Sequence, residues 1–189
     1  MTPALASALA SGPVIWLVGL PSSGKTTLAE AVIARLEVPH LWLDSDDLRS
    51  VMTPAPDYSE RERDIFYGTI GHLAVRASRG GVTVIISATA NRQHYRDFVR
   101  ARVLRFAEVH VCCDRDTLYR RDAKGLYARA EGQAENRLPG LGAAFEAPIA
   151  PELKLDTTAT SAAANAKQII DWLRASSPPG PIQPCFDRS

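Results

Sequence analysis

Residues 19–27 read GLPSSGKTT, with the apolar run VIWLVGL leading in and LAEAVIARL leading out. Gly19 and Gly24 bracket four residues and are followed by Lys25 and Thr26, the phosphate-loop pattern G-x-x-x-x-G-K-[ST]. No other feature narrows the fold so far, because the pattern works only between a strand and a helix. Glycine lets the backbone curl so that successive N–H groups point at phosphate oxygens, and the next helix adds the partial positive charge of its N-terminus. The flanking runs meet that condition. A nucleoside triphosphate is therefore expected on Gly19, Ser22, Ser23, Gly24, Lys25, Thr26 and Thr27. Lys25 would reach the β- and γ-phosphates, and the Thr26 hydroxyl is placed for Mg²⁺. The motif names the donor and leaves the acceptor open.

The rest of the chain repeats strand and helix. Strand-like runs at 14–18, 40–43, 82–87, 106–112 and 152–156 are mostly continuous apolar stretches, as strands buried on both faces are. Helical patterns fall at 24–36, 59–79, 91–104, 114–122 and 161–175. The longest opens on a capping box, Ser59 with Glu62, and stops at Gly80 and Gly81. This repetition predicts an α/β fold of the P-loop NTPase type, a five-stranded parallel sheet flanked by helices with right-handed crossovers. The 189 residues are read as a flexible extension over 1–12, a P-loop domain over 13–175 and an irregular Pro-rich tail over 176–189. Residues 123–151, mixing a short helical piece with Gly and Pro, read as a lid.

Composition removes several classes. A net charge of +1 gives no global field for nucleic acid or an anionic membrane. No apolar run reaches the about 18 residues of a membrane helix, and the start MTPALASALASGP lacks the charged segment of a secretory signal. Cys112 and Cys113 point to opposite faces of a strand, and no Cys/His spacing suggests zinc, so the thiols read as buried groups in a reducing cytoplasm. The histidines are scattered, with His94 the one nearest to candidate chemistry.

Two further stretches carry chemistry. LWLDSDDLRS at 41–50 puts Asp44, Asp46 and Asp47 just past a strand end, where doubly wound sheets bind ligands. Asp46 can accept a proton from an attacking hydroxyl, Asp44 can hold a magnesium-bound water, and Arg49 can bind an anionic acceptor. Asp44 or Ser45 can equally cap the helix DDLRSVM, and the two roles are compatible. RRDAKGLYARA at 120–130 gathers Arg120, Arg121, Lys124 and Arg129 at the start of the irregular segment, where basic groups can close over a phosphoryl group.

GLPSSGKTT, LDSDDLR, RDAKGLYARA and FEAPIAPELKLDT occur in that order. Together they resemble the adenylylsulfate kinase (APS kinase) family from about Val14 to Leu173. The resemblance implies phosphoryl transfer from Mg-ATP to the 3′-hydroxyl of adenylyl sulfate, as in sulfate assimilation. It implies an ATP site at Ser22 to Thr27, with Arg121 near the adenine and Asp46 as the base. Arg49 and Lys124 would contact the acceptor nucleotide, Arg137 and Leu138 would line its site, and Thr89 joins them on that side. The departures fall on the acceptor side. Asp47 stands where the family has Asn, FYGT at 66–69 where it has an Asn and an Arg pair, ATANRQ at 88–93 where it has FISPYR, and RLPG at 137–140 where it has GFTG. Ala88 is read as replacing a stacking Phe, Arg92 and Arg96 as new cations near the rim, and Phe66 or Tyr67 as replacement platforms; core residues and solvated arginines are the plainer alternative. Adenylyl sulfate, another nucleotide-like hydroxyl compound such as a nucleoside diphosphoramidate, and a module that only binds or hydrolyses ATP all stay open. The expected partners are ATP and a small anionic nucleotide-like acceptor, with room for a homodimer and none for nucleic acid or membrane.

Overall fold

A computed structural model describes residues 11–131 and 136–175. Five strands, β1 (Val14–Val18), β2 (His40–Asp44), β3 (Thr83–Ser87), β4 (Phe106–Cys112) and β5 (Leu153–Asp156), form one sheet in the order β2-β3-β1-β4-β5. Every pairing is parallel, with Leu17 opposite Ser87 on one side and Val109 on the other. β1 is central and buried along its whole length, which is why VIWLV shows no polar alternation. Its odd and even residues serve different layers. Val14, Trp16 and Val18 pack with Phe66, Ile70 and Val99, whereas Ile15 and Leu17 pack with Leu28, Val32 and Ile169.

The first of those layers is made by α3 (Glu60–Arg79) and α4 (Gln93–Arg100), the second by α1 (Lys25–Ile33) and α7 (Ala162–Ala175). Ser59 caps α3 by accepting from the Glu62 backbone N–H at 3.2 Å. Acids in its first turn and arginines in its last suit the helix dipole. Phe66, Ile70 and Ala74 recur at helical spacing on its buried face, each large apolar one contributing about 1.5–3 kcal/mol. Gly71 lets this face approach α4, since a Cβ there would meet the Phe98 ring at 3.1 Å.

Three short helices complete the described chain: α2 (Ser45–Met52), α5 (Arg115–Arg120) and α6 (Leu126–Glu131). Within the segment read as a lid, 123–151, lie the helix α6 and a turn in which the Gly140 N–H donates to the Ala143 carbonyl at 2.9 Å. Gly12, expected in the flexible extension, is held: its N–H donates to the Ser78 carbonyl at 2.8 Å and its carbonyl accepts from the Ser78 hydroxyl at 2.6 Å. The first ten residues of the extension, the tail from 176 with Cys185, and 132–135 of the expected lid lie outside the described residues.

The order β2-β3-β1-β4-β5 reverses direction at β1, so a crevice opens at its carboxyl end beside β3. The loop after β1, the acids after β2 and Ser87 at the end of β3 all meet there.

Candidate active site

The phosphate loop turns through two left-handed residues, Ser22 at φ 61° and Gly24 at φ 89°. Gly24 sits directly before α1, and its missing side chain leaves the helix N-terminus open. Lys25 curls back, its Nζ donating to the carbonyls of Gly19 at 3.0 Å and Leu20 at 2.8 Å. Burial pushes its pKa down to about 8, against the opposing pull of the Asp46 and Asp44 carboxylates. An anionic phosphate beside it would restore the charged form's advantage.

Asp44 joins three elements. Its Oδ1 accepts from the backbone N–H groups of Asp46 at 2.8 Å and Asp47 at 3.3 Å, which caps α2. Its Oδ2 accepts from the Thr26 hydroxyl at 3.0 Å and the Ser87 hydroxyl at 2.7 Å. Ser87 in turn accepts from the Trp42 indole N–H at 2.8 Å. Thr26 spends its one proton on Asp44, so its lone pairs face the crevice beside the carboxylate. A hydroxyl and a carboxylate oxygen at a phosphate loop are hard donors of the kind Mg²⁺ takes alongside phosphate oxygens. Among the described residues no group of three or more His, Cys, Asp and Glu gathers to hold a metal by itself.

A cavity of about 890 Å³ starts at the loop and continues past it. Of the residues singled out from the sequence, Ser22, Gly24, Lys25, Thr26, Thr27, Asp46, Arg49, Thr89, Arg121, Lys124, Arg137 and Leu138 all line it. Gly19, Ser23 and Asp44 stand behind it instead. Gly19 packs so closely on the Val111 carbonyl that a Cβ would sit 2.4 Å from it, and Ser23 is buried. Asp44 reaches the cavity through Thr26 and Ser87, both of which line it. Arg121 is tied beside Gly24 by hydrogen bonds to the Thr157 carbonyl at 2.8 Å and hydroxyl at 3.2 Å. Lys124 pairs with Asp46 at 2.6 Å midway along the cavity.

At the far end Phe66 and Tyr67 are core residues, the plainer of the two readings, and the arginines are paired with acids. Arg49 is paired with Glu62, and its guanidinium lies 3.9 Å from the Phe66 ring centre. Phe66 is therefore a buried floor beneath Arg49 and no platform for a ligand. Tyr67 is buried as well, though it touches the cavity wall. Arg96 is wholly buried against Glu108, and Arg92 is held between Glu60 and Glu146. Neither is a free cation at the rim, because each is paired with acids. His94 lies outside this cavity, stacked on Tyr95 and 3.7 Å from Asp64.

Tyr58 and Arg63 also line this cavity, and both were missed in the sequence. Tyr58 takes a left-handed backbone, φ 54°, stabilised by Glu62, whose Oε2 accepts from the N–H groups of Asp57 at 2.6 Å and Tyr58 at 3.1 Å. Arg63, nearly buried, donates to the carbonyls of Tyr58 at 3.1 Å and Arg137 at 2.7 Å and to the Asn91 side-chain oxygen at 3.3 Å. The available signal was an aromatic directly before the cap Ser59 and an arginine on the apolar face of α3.

A parallel sheet reversing at β1, with a phosphate loop facing carboxylates and a cation-rich compartment, defines a P-loop kinase. More particularly, the chain belongs to the adenylyl-sulfate kinase family: the family model described as adenylylsulphate kinase matches residues 11–156. The chain is 35% identical over 147 residues to the probable adenylyl-sulfate kinase of Archaeoglobus fulgidus, covering 76% of this chain and 95% of that one. It is 34% identical over 149 residues to the adenylyl-sulfate kinase of a Picosynechococcus species, covering 77% and 84%. The structure of the Mycobacterium tuberculosis APS kinase CysC in complex with AMPPNP and APS matches with a TM-score of 0.79 at 27% identity, over 87% of this chain and 98% of that one. Members of this family are ATP-dependent phosphotransferases that act on a hydroxyl group. No helix among the described residues is long and apolar enough to cross a membrane.

Proposed function

We propose that this protein transfers the γ-phosphate of Mg-ATP to the 3′-hydroxyl of adenylyl sulfate. The observation that carries the reading is one continuous cavity with the phosphate loop at one end and Tyr58, Arg63, Arg137 and Leu138 at the other, with Asp46 between them. That far end offers a ring for a purine and guanidinium groups for an anion. A stacked base is worth about 1–3 kcal/mol, so Tyr58 answers the need that the Ala88 replacement created.

In this reading the triphosphate lies on the N–H groups of Ser22 to Thr27, and Arg121 borders the adenine. Thr26, backed by Asp44, would hold a magnesium ion, whose charge would offset that of the triphosphate. Lys25 swings from its own loop's carbonyls to the phosphates. Lys124 moves from Asp46 to the acceptor's anionic groups, freeing the carboxylate. The acceptor's 3′-oxygen then bonds to the γ-phosphorus as the bond from that phosphorus to the β–γ bridging oxygen breaks, leaving ADP. Asp46 takes the hydroxyl proton.

The test is steady-state kinetics with adenylyl sulfate at saturating Mg-ATP, read as ADP release and product mass. The expected kcat/KM lies in the ordinary enzyme range, about 10⁴–10⁸ M⁻¹ s⁻¹. A 3′-deoxy analogue should bind without turning over. ADP release that ignores adenylyl sulfate, or phosphorylation of the 3′-deoxy analogue, overturns the assignment.

A further inference from the structure

The motif FEAP at 145–148 touches no phosphate, yet Glu146 uses both its backbone and its side-chain polar groups against residues 91–96. Its N–H donates to the Asn91 carbonyl at 2.8 Å, and its own carbonyl accepts from Arg96 at 2.6 Å. Its carboxylate accepts from the Gln93 N–H at 2.6 Å and from Arg92 at 3.1 Å. Helix α4 has no side-chain cap from Arg92 and no acid in its first turn, so Glu146 supplies the missing negative acceptor from a distant part of the chain. Arg96, which receives Glu146's backbone, is wholly buried and paired with buried Glu108, so the anchor itself does not drift.

Asn91 lies beside this joint and is also buried. Its side-chain nitrogen donates to the Ala144 carbonyl at 3.1 Å, and its oxygen accepts from Arg63 at 3.3 Å. Arg63 continues to the Arg137 carbonyl at 2.7 Å. The turn that carries Arg137 and Leu138 to the cavity is thus held directly by segment 91–96 at Ala144 and Glu146, and at Arg137 through Arg63, which Asn91 in turn engages. At its crest Gly140 passes so close to Leu20 of the phosphate loop that a Cβ would sit 2.5 Å from the Leu20 side chain.

We infer that Asn91 and Glu146 are positioning residues for the acceptor: they touch no substrate, and they fix where Arg137 and Leu138 meet it. The inference rests on the acceptor reading above. It gives ATANRQ a use, as the half of a joint that seats the acceptor wall, with Glu146 of FEAP as the other half.

The experiment compares Asn91→Ala, Glu146→Ala and Glu146→Gln with the parent enzyme. The readouts are acceptor KM, kcat, affinity for a fluorescent ATP analogue, and amide hydrogen exchange over 137–145. Both alanine variants should raise the KM for adenylyl sulfate about 5- to 30-fold, the loss of one or two hydrogen bonds to charged or buried partners. In both, kcat and nucleotide affinity should stay within about 2-fold, and exchange should quicken over 137–145 but not over the phosphate loop. Glu146→Gln, which keeps an oxygen for the Gln93 N–H, should recover most of the KM. An unchanged KM overturns the inference, as does an equal loss of nucleotide affinity. If the parent enzyme leaves adenylyl sulfate untouched, the acceptor reading has failed and exchange alone decides. Quicker exchange confined to 137–145 then supports the joint, and unaltered exchange sinks it.

Discussion

Lys124 Nζ lies 2.6 Å from Asp46 Oδ2, although 78 residues separate them in the chain. The side-chain exposures are 60% and 66%, so water screens the pair and it contributes at most about 1 kcal/mol to stability. It holds the fold together very little. A substrate hydroxyl can therefore take the ammonium's place at small cost, and the ammonium is already beside the reacting groups when it leaves.

Asp46→Asn should leave the melting temperature within about 2 °C of the parent, because an exposed pair and no helix cap are lost. Its kcat should fall by about 10²–10⁴, the range for a positioned general base. Unchanged kcat with a lowered melting temperature would show that Asp46 is structural and that the base lies elsewhere.

Lys25→Ala should abolish turnover while leaving stability level or slightly improved. The lysine is buried and its charged form is disfavoured there, so its removal relieves a desolvation cost even as it takes the main side-chain charge from the loop. Thermal unfolding and single-turnover kinetics separate the two effects. Retained activity above a few per cent would count against the phosphate-loop assignment.

Asp44 combines a cap and a support for Thr26, and two substitutions should divide these roles. Asp44→Asn keeps an oxygen for the N–H groups of Asp46 and Asp47, so stability should drop by well under the about 1 kcal/mol of a lost cap. Asp44→Ala should lose the cap outright. Both should raise the Mg²⁺ concentration for half-maximal rate by about 10-fold or more, as loss of a supporting carboxylate does. A magnesium titration identical to the parent's would remove Asp44 from the metal site.

Acid should loosen the joint at Glu146. The Gln93 backbone N–H, then the Arg92 guanidinium, hold its carboxyl below the usual glutamate value of 4.5. A depressed folded pKa means the unfolded state binds more protons. The stabilisation is therefore fully present above about pH 4.5 and is lost as pH falls through the lower folded value. Melting temperature against pH should decline on that limb, and Glu146→Gln should flatten part of the decline. An identical acid limb in the variant would show that Glu146 adds nothing to it.

The phosphate loop was legible because its whole chemistry lies in consecutive residues, from the Gly19 turn to Thr26. β1 and β3 were legible because burial on both faces leaves no polar alternation. Asp44 was readable as a cap, since that role follows from its place at the end of β2 and the start of α2. The acceptor end was not, because its residues find their partners only in three dimensions. Nothing near Arg49 in the sequence showed that α3 would bring Glu62 and Phe66 against it. Arg92 and Arg96 looked like a new basic rim, but Glu146 and Glu108 come from segments far along the chain. Tyr58 drew no notice because nothing local shows that Glu62 would fold back on its N–H and turn the ring into the cavity.

The contact from Trp42 to Ser87 to Asp44 to Thr26 makes this protein its own optical probe. Indole emission is sensitive to the dipoles around its N–H, and this N–H is three hydrogen bonds from the hydroxyl that would face magnesium. Of the other tryptophans, Trp16 is sealed in the core, and Trp172 is a residue of α7 that packs on the same apolar layer as Trp42 but is no part of this chain of hydrogen bonds. Light emitted by Trp42 should therefore change colour or intensity when the metal–nucleotide complex docks, with no label attached and before any phosphate has moved.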